Sequence, residues 1–195
     1  EEEAAAYLNE EAGVASTADA IQGAMDILAE RISDDAQYRT WIRNITWKEG
    51  ILVSSAKDAE AESVYEMYYD FQEAVSKMAG YRILAVNRGE KEKLLSVKIT
   101  APEEKILTYL KKQVIVKENP NTKPLLEAVC EDSYQRLIAD SIERDIRNEM
   151  TEHAEDGAIQ VFGQNLTQLL MQPPIAGQIV LGWDPAFRTG CKLAV

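Results

Sequence analysis

The side chains of this sequence that could do chemistry are few and scattered. Arg88, Gly89 and Glu90, with Lys91 and Lys93 beside them, form a glycine-bearing basic stretch of the kind that contacts phosphate. Glu90 and Glu92 cancel much of that charge, so a solvated turn is the simpler reading. Arg188, Thr189 and Lys192 make a second stretch of the same kind, equally weak. His153 is the single histidine and sits between Glu152 and Glu155. A general base or metal ligand needs converging partners, which the sequence does not advertise, so His153 reads as an exposed residue near a helix end. Cys130 and Cys191 lie far apart, and no Cys/His cluster has the spacing of a zinc site, so no metal or cofactor is expected. Tyr65, Tyr68, Tyr69 and Phe71 could stack on bases. Tyr65, Met67 and Tyr68 nevertheless fall at helical core spacing, which favours packing.

Those residues must be positioned by elements whose signals are mostly helical. Ser16 and Thr17 precede apolar positions at Ile21, Met25, Ile27, Leu28 and Ile32, the pattern of a capped amphipathic helix. Gly13 should close a helix over 2–12 in a left-handed cap. Ser33 followed by Asp34 and Asp35 starts a second helix through Tyr38, Trp41, Ile42 and Ile45, which stops near Gly50. The pattern weakens over 51–56. Helical character returns over 59–78, with Val64, Met67, Tyr68, Phe71 and Val75 on one side and Gly80 as terminator. Strand-forming residues at 81–86, a polar loop at 87–93 and the alternation of Leu95, Val97 and Ile99 predict a β-hairpin that carries Arg88 at its tip.

Thr100 and Glu103 have capping-box spacing around Pro102 and predict a helix to about Gln113. Asn119, Pro120 and Asn121 read as a linker. After Pro124 a long helix places Leu126, Cys130, Leu137, Ile142, Ile146 and Met150 inward, leaving Glu131, Arg136, Glu143, Arg144 and Arg147 to water. A further helix carrying Ile159, Phe162, Leu166, Leu169 and Leu170 should end at Pro173 and Pro174. A buried strand over 178–183, a tight loop over 184–190 and a strand over 191–195 complete the chain, which is expected to stop inside a domain that continues.

Composition limits what these elements can do. The chain has 195 residues, 46% apolar and 28% charged, and a formal net charge of −12. Such a surface repels phosphate backbones, so any grip on nucleic acid must be local or lie outside the segment. No apolar run approaches the ~20 residues of a membrane span, and no signal peptide is visible, which together with the sparse cysteines predicts a cytoplasmic protein without membrane contact.

Four stretches together resemble the Tex family of bacterial transcription accessory proteins, which is similar to the core of a eukaryotic elongation factor. They are GAMDILAERISDDA over 23–36, ESVYEMYYDF over 62–71, RILAVNRGEKE over 82–92 and VLGWDPAFRTGCKLAV over 180–195. The resemblance implies a multi-domain protein with an RNase H-like YqgF domain, helix-hairpin-helix elements and a C-terminal S1 RNA-binding domain, of which this chain would hold the central helical part. It also makes Asp184, in GWDPAFRTG, similar to the first aspartate of RNase H-like and RuvC-type nucleases, where such a residue helps hold Mg2+. That chemistry requires several carboxylates around one or two metals, so Asp184 alone reads as vestigial.

The expectation is therefore a mainly α fold: a multi-helical domain with one small β-hairpin, followed by the first strands of a truncated RNase H-like α/β domain. Its segments are 1–118 with a hairpin at about 81–99, a long-helix region at 119–175, and the RNase H-like start at 176–195. The functional expectation is a non-enzymatic scaffold segment of a Tex-like protein. Its RNA or DNA would be held through domains outside the chain, its protein partners would belong to the transcription machinery, and its candidate nucleic-acid contacts would be Arg88, Lys91, Lys93, Arg188 and Lys192. A metal-dependent nuclease built on Asp184 is the competing reading. A third is a protein-interaction module that docks through an acidic face including Glu60 and Glu62.

Overall fold

The computed structural model describes residues 3–9, 13–173, 175–186, 188 and 190–195. Contacts divide the chain into residues 1–157 and residues 158–195. The fold is mainly helical with a small antiparallel sheet, as the sequence leads one to expect.

In the first unit, helix α1 (Thr17–Asp34) begins at a complete capping box. The Ser16 hydroxyl accepts from the Asp19 amide at 3.2 Å, and the Asp19 carboxylate accepts from the Ser16 amide at 2.9 Å. Helix α2 (Ala36–Glu49) follows after a single residue, because Asp35 accepts from the amides of Gln37 and Tyr38. Asp35 is thus the cap, and Ser33 is buried and donates to the Glu30 carbonyl. Gly50 ends α2, as expected.

The stretch whose pattern weakens in the sequence is strand β1 (Ile51–Ala56), the centre of the sheet. Leu52 and Ser54 are its buried positions, and the serines are what dilute the apolar alternation. The helix expected over 59–78 is absent. That segment folds as turns, a 3-10 turn at Glu66–Tyr68, strand β2 (Asp70–Ala74) and a 3-10 turn at Val75–Lys77. Tyr65, Tyr68 and Val75 are buried, but Val64 and Met67 are 85% and 73% exposed. A spacing of three is met by a 3-10 turn as well as by an α-helix, which is how the pattern misleads.

The expected hairpin is also corrected. Gly80 starts rather than ends a helix, and its supposed first arm lies in α3 (Gly80–Lys91), with Ile83, Val86 and Gly89 buried. A short apolar run of this length does not by itself separate a strand from a buried helix face. Lys93, at φ +64°, turns the chain, and the second arm is strand β3 (Leu95–Thr100) as read. β3 pairs antiparallel with β1, as β2 does on the other side, giving the order β2-β1-β3 with Leu52 opposite both Glu73 and Ile99.

Helix α4 (Glu103–Val114) forms where expected, but Pro102 is its cap and no side chain closes the Thr100–Glu103 box. Asn119 accepts from the amides of Thr122 and Lys123 and so turns the chain into α5 (Lys123–Asp132). A π-helical segment, Ser133–Ile138, links α5 to α6 (Ala139–Leu170), so the two helices expected beyond Pro124 are one unbroken helical run. Cys130, Ile138, Ile142, Ile146 and Met150 enter a core shared with Ile42, Leu95, Ile106 and Leu110. The buried Ser133 hydroxyl donates to the Ala29 carbonyl at 2.8 Å, tying the π segment to α1.

Near the N-terminus, Ala4–Tyr7 is one 3-10 turn, and Asn9 and Val14 exchange backbone hydrogen bonds across Gly13, whose φ is +78°. The helix expected over 2–12 is therefore not formed at 4–9, and residues 2 and 10–12 lie outside the described set. In the second unit, strands β4 (Gly182–Asp184) and β5 (Lys192–Ala194) pair antiparallel. The buried strand expected over 178–183 is corrected: only its end is strand, and Trp183 is 66% exposed. Pro174 and Thr189 lie outside the described residues.

Candidate functional site

The densest polar constellation lies where α3 and α6 meet β3. Arg147 of α6 is half-buried and donates to the Glu90 carboxylate, to the Val97 carbonyl at 3.4 Å and to the Asn87 amide oxygen at 3.4 Å. The Thr151 hydroxyl accepts from the Asn87 side chain at 2.8 Å and donates to the Arg147 carbonyl at 2.7 Å. One turn earlier, Glu143 accepts from the Ile99 amide at 3.0 Å. β3 is an edge strand, and alternation turns the backbone groups of Val97 and Ile99 away from β1. Glu143 and Arg147, four residues apart on one helix face, stand in for the missing fourth strand. The sequence reading that sent both to water is corrected.

Further ion pairs link distant elements in the same manner. Arg43 of α2 pairs with Glu149 of α6, and Arg82 of α3 pairs with Glu73 of β2 at 2.8 Å. The Glu73 carboxylate, followed by the Tyr81 hydroxyl, raises the Arg82 guanidinium above its ordinary range, so this cation stays charged. A groove of about 430 Å³ runs beside the Arg147 network, and Glu90, Asp140 and Glu143 share its walls with Arg144 and Arg147. Such mixed charge offers neither an anion cradle nor converging carboxylates. Among the described residues no group of acids, histidines or cysteines could hold a metal ion.

The residues singled out by sequence are placed elsewhere. Arg88 and Lys91 sit in the last turn of α3, where a cation suits the helix dipole, and Arg88 pairs with Glu92 at 3.2 Å while remaining 76% exposed. Lys93 is exposed on the following turn. Gly89, expected at a loop tip, is buried: a Cβ there would lie 2.6 Å from Leu95 Cδ1 and 3.2 Å from the Tyr65 ring. Asp184 and Lys192 are exposed cross-strand partners in β4 and β5, and Arg188 is exposed in the loop between them. His153 is exposed on α6.

Two buried groups are shifted toward their neutral forms. Burial pushes the Cys130 thiol up to about 11, opposed by Lys111 and aided by Glu131 and Glu127. Burial, with Glu103 and Glu143 adding to it, pushes the Tyr134 hydroxyl up to about 12. A thiol held neutral in an apolar core is an inert packing group.

The residues that sequence reasoning missed are Glu143 and Arg147. Their spacing was visible, but four-residue Glu–Arg pairs mark any solvated helix face. Only the position of the β3 edge gives this pair its role.

Comparison with known proteins places the chain in a family. Residues 1–162 match the family described as Tex central region-like. The chain is 48% identical over 192 residues to the protein YdcI of Bacillus subtilis, covering 97% of this chain and 27% of that protein. It is 32% identical over 198 residues to the transcriptional accessory protein Tex of Neisseria gonorrhoeae, covering 97% of this chain and 26% of the relative. It is 30% identical over 197 residues to the human S1 RNA-binding domain-containing protein 1, covering 94% of this chain and 20% of the relative. The chain thus spans between 20% and 27% of the length of these relatives.

Proposed function

Because this chain belongs to the Tex family through its central region, we propose that it is a non-catalytic frame that positions the nucleic-acid-binding parts of a transcription accessory protein. The observation that carries the reading is the internal use of its half-buried cations. Arg43, Arg82 and Arg147 are each committed to a carboxylate of another element, which ties α2 to α6, α3 to β2 and α6 to α3 and removes these guanidinium groups from competition for phosphate. The formal charge of −12 acts in the same direction at long range. Of the exposed cations of the first unit near the sheet, Arg88, Lys91 and Lys93 alternate with Glu90 and Glu92, and Lys57, Lys77 and Lys98 stand apart from them along the chain.

RNA or DNA would then be gripped by segments beyond this chain, in keeping with the RNA-binding S1 domain in the name of the human relative. The cytoplasm and a transcription complex are the setting that this reading implies. The test is equilibrium binding of residues 1–195 to single-stranded RNA and to duplex DNA at low salt. Micromolar or weaker affinity with little sequence preference is expected. Nanomolar affinity lost in Arg88→Ala or Lys91→Ala would move the grip into this chain and sink the proposal. Catalysis is tested separately: Mg2+-dependent cleavage by the full-length protein that disappears in Asp184→Ala would replace the frame by the nuclease reading.

A further inference from the structure

The two edges of the three-stranded sheet are treated differently by the fold. At β3, Glu143 and Arg147 occupy the outward amide of Ile99 and carbonyl of Val97. At β2, the Tyr69 carbonyl accepts from the Ala56 amide at 3.0 Å and the Val75 amide donates to the Gly50 carbonyl at 2.9 Å, so the odd-numbered residues bond inward. Alternation therefore turns the backbone amides and carbonyls of Asp70, Gln72 and Ala74 outward. The Ala74 carbonyl already belongs to the 3-10 turn that Ala74 caps, so the groups left facing outward are those of Asp70 and Gln72 and the Ala74 amide. Proteins usually blunt such an edge with lysine, proline or a bulge, and the β2 sequence DFQEA has neither residue and pairs with β1 in unbroken register.

The surroundings of this edge select a partner. Val64 and Met67, just ahead of β2, are 85% and 73% exposed and offer apolar contact. Asp58, Glu60, Glu62, Glu66 and Asp70 are exposed in the segment 57–70 that leads into β2, where Lys57 is the one cation; beyond the strand Lys77 is exposed and Arg82 is paired with Glu73. A second copy of this chain would bring the same acids edge to edge, and a phosphate backbone would meet the same repulsion. We propose that the outer edge of β2 is a docking site for an extended, lysine- or arginine-bearing segment of a partner protein, which adds to the sheet as a fourth strand. Main-chain hydrogen bonds to Asp70, Gln72 and Ala74 supply the attachment, and the acidic approach selects the cationic segment and steers its arrival.

The test uses fluorescence anisotropy with a labelled peptide of alternating lysine and valine, and a glutamate–valine peptide as its opposite. Gln72→Pro deletes one outward amide and crowds the edge while leaving every bond to β1 in place. The lysine–valine peptide should bind, weaken as salt rises, and lose about tenfold or more in affinity to Gln72→Pro, the scale set by one lost hydrogen bond plus a steric block. Should Gln72→Pro fail to fold, Glu60→Lys combined with Glu62→Lys decides the matter, since it leaves the strand intact and should weaken the same peptide. Equal binding of the two peptides, or indifference to both variants, would overturn the proposal. So would concentration-dependent dimers of the chain that Gln72→Pro abolishes, because the edge would then belong to a second copy.

Discussion

Residues 1–157 and 158–195 contain similar apolar patterns and put them to different use. In the first, Ile42, Leu110, Ile138 and Ile146 are fully enclosed, and cations such as Arg147 close the polar gaps between elements. In the second, Ile159, Phe162, Leu169 and Leu170 repeat at helical spacing yet are 68%, 67%, 62% and 71% exposed. Periodicity reports that a helix has an apolar face. Whether that face is core depends on a surface to receive it, which residues 17–157 supply to one another through α1 to α6 and the sheet.

The sharpest way to break this contrast is truncation on each side. Ile146→Ala should lower the urea-denaturation stability by about 2–5 kcal/mol through lost burial and a residual cavity. Phe162→Ala should stay within about 0.5 kcal/mol, as exposed substitutions do. Equal losses at the two sites would show that the stripe on the second half of α6 is buried in solution.

Glycine substitutions give the next effect. Gly89→Ala should cost roughly 1–3 kcal/mol, because its new methyl meets Leu95 and Tyr65 inside the core. Gly163→Ala meets nothing within 4 Å. In mid-helix it should stabilise by about 0.5–1 kcal/mol through propensity alone, so thermal melts of the two variants should move in opposite directions.

The thiols provide the smallest and cleanest comparison. Cys191 is exposed and should react with a disulfide reagent at once, whereas Cys130 should react only as the protein opens. The Cys130 thiol is raised from 9.0 to about 11, so its neutral form is the one the fold prefers. Its contribution is complete below pH 9.0 and declines as pH rises through about 11, because the unfolded chain ionises first. Tyr134, raised from 10.0 to about 12, extends the same alkaline loss to higher pH. Urea midpoints that held constant across this range would contradict the burial of both groups.

Much of the helical framework was legible in the sequence, while little of the candidate site was. Ser16 with Asp19, the helix through Trp41 and Ile42, the inward row from Cys130 to Met150 and the alternation of Leu95, Val97 and Ile99 all state their roles locally. Caps and three- or four-residue neighbours act within one turn of chain, and strand alternation within a few residues, so the sequence by itself determined these. Tertiary structure alone decided that 51–56 is the central strand, that 70–74 is an edge, that 80–91 is a helix, and that Glu143 and Arg147 seal the far side of the sheet. Each of those outcomes depends on a partner many residues away, such as Ile99 for Glu143, and strand pairing and burial are properties of the pair, not of either segment.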